Sequence, residues 1–136
     1  MYEFFDHTAD LGLRARAADF GALFAEMATG LFAAIVDDLG IVRPKSRVDV
    51  VVEGTDTAYL LFDWLRELLY RHDAEHMLFS RFEVEETATG VKGCAWGEVI
   101  DPARHVLAHE VKAITYHGLR VEREGDGWVA EVIVDI

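Results

Sequence analysis

Residues 48–72 read VDVVVEGTDTAYLLFDWLRELLYRH, and a change of period inside this stretch decides the fold. Val48, Val50 and Val52 alternate with Asp49, Val51 and Glu53, the two-residue repeat of a strand with one buried face. Gly54 ends the alternation, and Thr55 or Asp56 is placed to cap a helix over about 57–72. Leu60, Leu61, Trp64, Leu65, Leu68 and Leu69 then recur at helical spacing, so one side of that helix is apolar. A strand feeding directly into an amphipathic helix predicts a helix laid on a sheet.

Working toward the start, Leu11, Leu13, Ala15 and Ala17 alternate with Gly12, Arg14 and Arg16, a second half-buried strand. Asp19 is a natural N-cap for a helix reaching about Asp37, with Phe20, Leu23, Phe24, Met27, Leu31, Phe32 and Ile35 as its apolar stripe. Gly21 and Gly30 each cost up to about 1 kcal/mol against alanine in a helix, a cost that close packing on a sheet can offset. Toward the end, alternation runs over Phe79–Glu86, Val91–Ile100, Glu110–Val121 with an interruption at Gly118, and Trp128–Asp135. Asp101-Pro102 breaks one strand from the next, and Asp126-Gly127 signals a hairpin. The order is β-β-α-β-α followed by a meander. It predicts one α+β domain over residues 1–136, a two-layer sandwich with two helices on a mixed or antiparallel sheet.

A chain of 136 residues with 51% hydrophobic content is long enough for a real core. No run approaches the roughly 18 apolar residues that cross a bilayer, so no membrane association is expected. Glu3, Asp6 and Asp10 are wrong for a signal peptide, and a single cysteine, Cys94, excludes an internal disulfide. The expectation is a reduced, cytoplasmic protein. A formal charge of −12 repels phosphate backbones, which disfavours extensive direct nucleic-acid binding and favours cations or a basic partner. Charge of this size also serves solubility alone.

The candidate chemistry gathers acids from both ends. Asp6, His7 and Asp10 stand in DHTAD, and Asp135 and Ile136 close the sequence. If both ends lie on strands of one sheet, Asp10, Asp135 and the Ile136 carboxylate can converge on a hard, oxygen-seeking cation. In the competing reading, Asp6 and Asp10 make turn hydrogen bonds and Asp135 is a solvated chain end. His7 is placed to order that loop or meet a partner. Glu110 and Lys112, two apart on one predicted strand face, suit an ion pair or a partner contact, and His117 a surface position on the same strand. His72 and His76 fall at a helix end, where they complement the dipole. His105 and His109 approach a strand, where four residues span about 13 Å and cannot share an ion. Cys94, between Gly93 and Ala95, reads as a small buried residue. No nucleophile elbow, phosphate loop or zinc spacing is present, so no catalytic residue is assigned.

With DHTADLGL at 6–13, LLFDWLRELLY at 60–70, EVKAITYHGL at 110–119 and DI at 135–136, the chain resembles the archeases along its whole length. The resemblance implies an α+β fold and a role as protein cofactor of an RtcB-type tRNA-splicing ligase. That ligase joins an RNA 3′-phosphate or 2′,3′-cyclic phosphate to a 5′-hydroxyl through a guanylylated histidine. The cofactor would promote guanylylation and multiple turnover and broaden nucleotide use. The resemblance also implies a metal site at Asp10, Asp135 and Ile136, with Ca²⁺ the expected ion and Mg²⁺ or Mn²⁺ as alternatives. Val134 departs from the aromatic residue expected there in many relatives, which bears on packing beneath the site. Two other functions compete: a metal-dependent phosphohydrolase, which needs phosphate-binding cations such as Arg14, Arg16 or Lys112 near the carboxylates, and a general chaperone, which needs an exposed apolar patch.

Overall fold

The computed structural model describes residues 1–7 and 9–136. The elements in order are β1 (Tyr2–His7), β2 (Asp10–Ala17), α1 (Phe20–Ile35), β3 (Ser46–Glu53), α2 (Thr57–Glu75), β4 (Met77–Glu86), β5 (Gly90–Val99), β6 (Ala113–Ile114), β7 (Arg120–Glu124) and β8 (Gly127–Asp135), with a short 3₁₀ turn at Leu39–Ile41. Both helices start where the sequence places their caps. The Asp19 carboxylate accepts the Ala22 N–H, and the Asp56 carboxylate accepts the N–H groups of Ala58 and Tyr59. Each cap satisfies donors that a helix start otherwise leaves open. At its other end α2 stops on His76, which takes the left-handed conformation at φ 57°.

Every strand pairing is antiparallel, as expected for an α+β fold of this element order. The strands divide between two sheets. One has the order β1-β2-β8-β6, with β7 also on β8, and the other is β3-β5-β4. Alternation in the sequence fixes which face of a strand is buried but not which strand it joins, so the division was not legible. Both helices touch both sheets. This explains why α1 is apolar almost all round, with Leu23, Phe24, Met27, Ala28, Leu31 and Phe32 fully buried. The side chain of Trp64, on α2, is also fully buried, and its indole N–H donates to the Phe24 carbonyl of α1 at 3.1 Å.

The glycines of α1 mark close approaches. A Cβ on Gly21 would sit 2.1 Å from the Val84 carbonyl oxygen of β4, and one on Gly30 would sit 2.5 Å from a Leu13 methyl of β2. The helix therefore lies against a strand on either side, and glycine is what permits it. One predicted strand is corrected. Glu110–Val121 is not continuous: only Ala113–Ile114 and Arg120–Glu124 pair with β8, and Glu110 and Lys112 precede the first of these outside any strand. Thr115 turns its hydroxyl to the Ile133 carbonyl, and Gly118 takes φ 64°, so the chain bends between the two pieces.

Candidate functional site

Asp10 opens β2 and pairs with His7, the last residue of β1. Ala9 takes φ 64°, a left-handed conformation that costs a non-glycine residue on the order of 1 kcal/mol. Thr8 lies outside the described residues. On its other side β2 pairs with β8 through Leu11↔Val134, and the same register carried one residue further sets Asp10 opposite Asp135. Asp135 in turn pairs with Ala113 of β6. His7, Asp10, Asp135 and Ala113 thus form one row across four strands.

Pleating puts paired residues of neighbouring strands on the same face, with directly opposed Cβ atoms about 4.5–5.5 Å apart. Leu11, Leu13, Val132 and Val134 face the core, so the row of Asp10 and Asp135 faces outward. Asp10 keeps a third of its side-chain surface exposed and Asp135 is half-buried. The end of the chain is held. The Asp135 carbonyl accepts the Lys112 N–H at 2.7 Å, and the Ile136 side chain packs against the core. Ile136 therefore turns back to the core immediately after Asp135.

His7 is the second notable group. Its Nδ1 is buried without a hydrogen-bond partner among the described residues, 3.7 Å from Asp10 Oδ2. That separation exceeds a hydrogen bond. The ring meets His117 edge-on, centroids 5.2 Å apart, so the turn between β6 and β7 reaches back to the β1–β2 hairpin. Asp6 is not part of this arrangement. It pairs with Leu11, one residue out of phase with the row, and is exposed at the sheet edge. Glu110 and Lys112 are exposed and make no ion pair with each other among the described residues, and Lys112 meets the row through its backbone.

Among the described residues, no three His, Cys, Asp or Glu side chains converge tightly enough to form a metal cluster on their own. A cation here would be held by the Asp10 and Asp135 carboxylates together with the Ile136 carboxylate, with carbonyls and water completing its shell. Such an all-oxygen donor set fits Ca²⁺ or Mg²⁺ and not a thiolate-seeking metal. The donors fit the ion, and the unpaired His7 nitrogen beside Asp10 marks the same spot as polar and incompletely satisfied.

The arginines of β2 are held away from the row. Arg14 lies on the same outward face but four residues along β2, about 13 Å away. Its guanidinium is bound by Glu131 at 2.7 Å and Glu3 at 2.8 Å, contacts that raise its pKa and hold it as a fixed charge. Arg16 is bound by Glu124 at 2.7 Å. Between Arg14 and the row, the Phe5 ring covers Gly12, where a Cβ would meet ring carbons at 2.3 Å.

Sequence reading missed a buried polar cluster at the far end of β5. Glu98 is 7% exposed and His105 4%. Glu98 accepts the Arg43 N–H at 2.8 Å and a guanidinium N–H of Arg104, and it lies 3.0 Å from His105 Nε2. The Asp101 N–H donates to His105 Nδ1, so the neutral ring carries its proton on Nε2 and donates to Glu98. Burial alone would raise the Glu98 pKa. The Arg43 N–H, Arg104 and His105 outweigh it and hold the carboxyl at about 2. The remaining candidates resolve simply. His72 Nδ1 lies 2.9 Å from the Met77 carbonyl, and His76 is the helix cap, so the two do not share an ion. Cys94 is half-exposed on the outer face of β5 and not buried as expected, because no helix covers that face. Desolvation and the Asp49 carboxylate at 3.2 Å raise its thiol pKa, which leaves it a poor nucleophile.

Residues 2–136 match the model of the Archease protein family (MTH1598/TM1083). The chain is 45% identical over 139 residues to the protein archease of Methanopyrus kandleri, covering 99% of each. It is 41% identical over 141 residues to that of Pyrococcus furiosus, covering 100% of this chain and 99% of the relative. Its fold is similar to the solution structure of Methanobacterium thermoautotrophicum protein 1598, with TM-score 0.87, 37% identity and 99% and 98% of the two chains covered. It also resembles the crystal structure of a Thermotoga maritima archease called a possible chaperone, with TM-score 0.65, 18% identity and 97% and 94% covered; at that identity the likeness speaks to fold alone. No helix is long and apolar enough to cross a membrane among the described residues. The chain belongs to the archease family.

Proposed function

We propose that this protein is a metal-binding protein cofactor of an RtcB-type tRNA-splicing RNA ligase, raising the ligase's guanylylation and its turnover without chemistry of its own. The observation that carries the reading is the register that sets Asp10 opposite Asp135 on a row closed by a core-anchored Ile136, in a chain of the archease family. When bound, a Ca²⁺ or other divalent ion supplies a fixed positive charge on an otherwise acidic surface. Asp10, Asp135 and the Ile136 carboxylate hold that charge at a rigid sheet position. His7 borders it beside Asp10, and His117 packs edge-on against His7. A partner whose guanylylation-competent state meets this face better than its resting state is shifted toward that state, since an activator works only through such a difference in affinity.

The phosphohydrolase alternative loses two of its three candidate phosphate-binding groups, because Arg14 is bound by two glutamates and removed from the row and Arg16 is bound by a third, which leaves Lys112 beside Asp135. The test of the proposed function uses the purified protein with an RtcB-type ligase, GTP and saturating metal. Guanylylated ligase and multiple-turnover joining are both followed. The wild type is expected to raise both, while Asp10→Ala and Asp135→Ala lose at least tenfold of the stimulation and bind Ca²⁺ more weakly by calorimetry. Full stimulation by both variants removes the metal from the mechanism, and no stimulation by the wild type removes the ligase. Suppression of aggregation of unrelated proteins by wild type and variants alike would favour the chaperone reading instead.

A further inference from the structure

The turn that brings His117 to the carboxylate row sends its neighbour, Tyr116, the other way. Tyr116 lies flat on Phe62 of α2, centroids 3.9 Å apart and planes 14° from parallel, and Tyr59 meets it edge-on at 5.6 Å. Both tyrosines remain more than half exposed, at 57% and 55%, although each is packed against another ring. A shallow groove runs between them, bordered by Asp56, Ala58 and Leu119. Tyr59 opens an exposed strip of α2 on which Asp63 and Glu67 outnumber Arg66, and Arg66 is already over the Phe62 ring and 3.5 Å from Asp63.

We propose that Tyr59 and Tyr116 form a docking surface for a basic segment of the partner protein, with an arginine or lysine laid over the tyrosine rings and against Asp56. The inference rests on the ligase-cofactor reading and extends it by naming where the partner holds on, beside the carboxylate row and not at it. Three features point to this occupant. Tyrosines held in place by ring packing lose little freedom on binding, and such residues dominate interface energetics. Ring faces and a bordering carboxylate together attract a cation. A chain of net charge −12 meets a basic protein readily and repels a phosphate backbone.

The experiment titrates the protein against the ligase and reads both the half-saturating concentration and the maximal stimulation. Tyr59→Ala is the principal variant, since Tyr59 lies on the helix surface. Tyr116→Ala uncovers Phe62 and is used with its melting temperature measured. Tyr70→Ala, an equally exposed tyrosine further along α2, is the control. Tyr59→Ala and Tyr116→Ala are expected to raise the half-saturating concentration at least tenfold with the maximum retained, and the wild-type half-saturating concentration should itself rise with added salt. Tyr70→Ala should change neither value. Unchanged half-saturation in a wild-type-active preparation overturns the docking surface and leaves the ligase function standing, whereas loss of all stimulation by the wild type itself removes the function. Binding of single-stranded RNA that Tyr59→Ala abolishes, or a wild-type dimer that Tyr59→Ala dissociates, assigns the surface to another occupant and overturns the proposal.

Discussion

Glu98 shows how a single carboxylate can organise two loops. It points to the side of β5 that no helix covers, yet the segments carrying Arg43 and Arg104 close over it. Its folded pKa of about 2 lies below the 4.5 of an unperturbed glutamate. The stability it contributes is therefore complete above pH 4.5 and is lost as pH falls from there through about 2. Glu98→Gln is expected to lower the unfolding free energy by about 2–3 kcal/mol at pH 7, because it removes the charge from a buried set of donors. In urea titrations the gap between wild type and variant should shrink steadily between pH 4.5 and 2.5; a gap independent of pH would mean that the ionised carboxylate is not the cause. Nothing in the sequence announced this cluster, since Arg43, Glu98, Arg104 and His105 come from three separate stretches and follow no spacing rule. Asp10 and Asp135 were legible because their strands alternate cleanly, which fixes the face on which each must lie.

At the scale of elements, the helices and their caps were readable from polar residues placed before apolar periodicity, as Asp19 and Asp56 show. Strand partners were not, because alternation is local and pairing is not. The segment EVKAITYHGL alternates well enough to suggest one strand, but its Tyr116 is drawn to Phe62 and its Gly118 turns the chain, so only Ala113–Ile114 of the segment remains in the sheet. The glycines of α1 were legible as an anomaly whose cause required the structure. Gly21→Ala gains up to about 1 kcal/mol in helix propensity. It also drives a Cβ against the Val84 carbonyl, a backbone atom that cannot rotate away, and overpacking of this kind costs about 1–3 kcal/mol. The clash should win, with a net loss of roughly 1–2 kcal/mol in urea unfolding and the largest loss of amide protection in β4. A stabilised variant would show that α1 and β4 are not in fixed contact.

For the whole molecule, the proposed cation, bound only by the folded state, would link β2 and β8 to global stability. At a free Ca²⁺ concentration a hundredfold above the dissociation constant, the folded state gains about 2.7 kcal/mol. Chelation is therefore expected to lower the calorimetric melting temperature of the wild type, while Asp10→Ala/Asp135→Ala should melt at one temperature with or without chelator. Equal chelator sensitivity in both would place the ion elsewhere. The same architecture has a temporal side. β2 emerges early in synthesis, but the neighbour that covers its inner edge is β8, more than a hundred residues later in the sequence. Until β8 arrives, a growing chain can complete the β3-β5-β4 sheet and both helices while β2 keeps an open edge, a surface prone to errant pairing. The carboxylate row therefore cannot exist until β8 has been made, and any nascent fragment that stops short of β8 lacks it altogether.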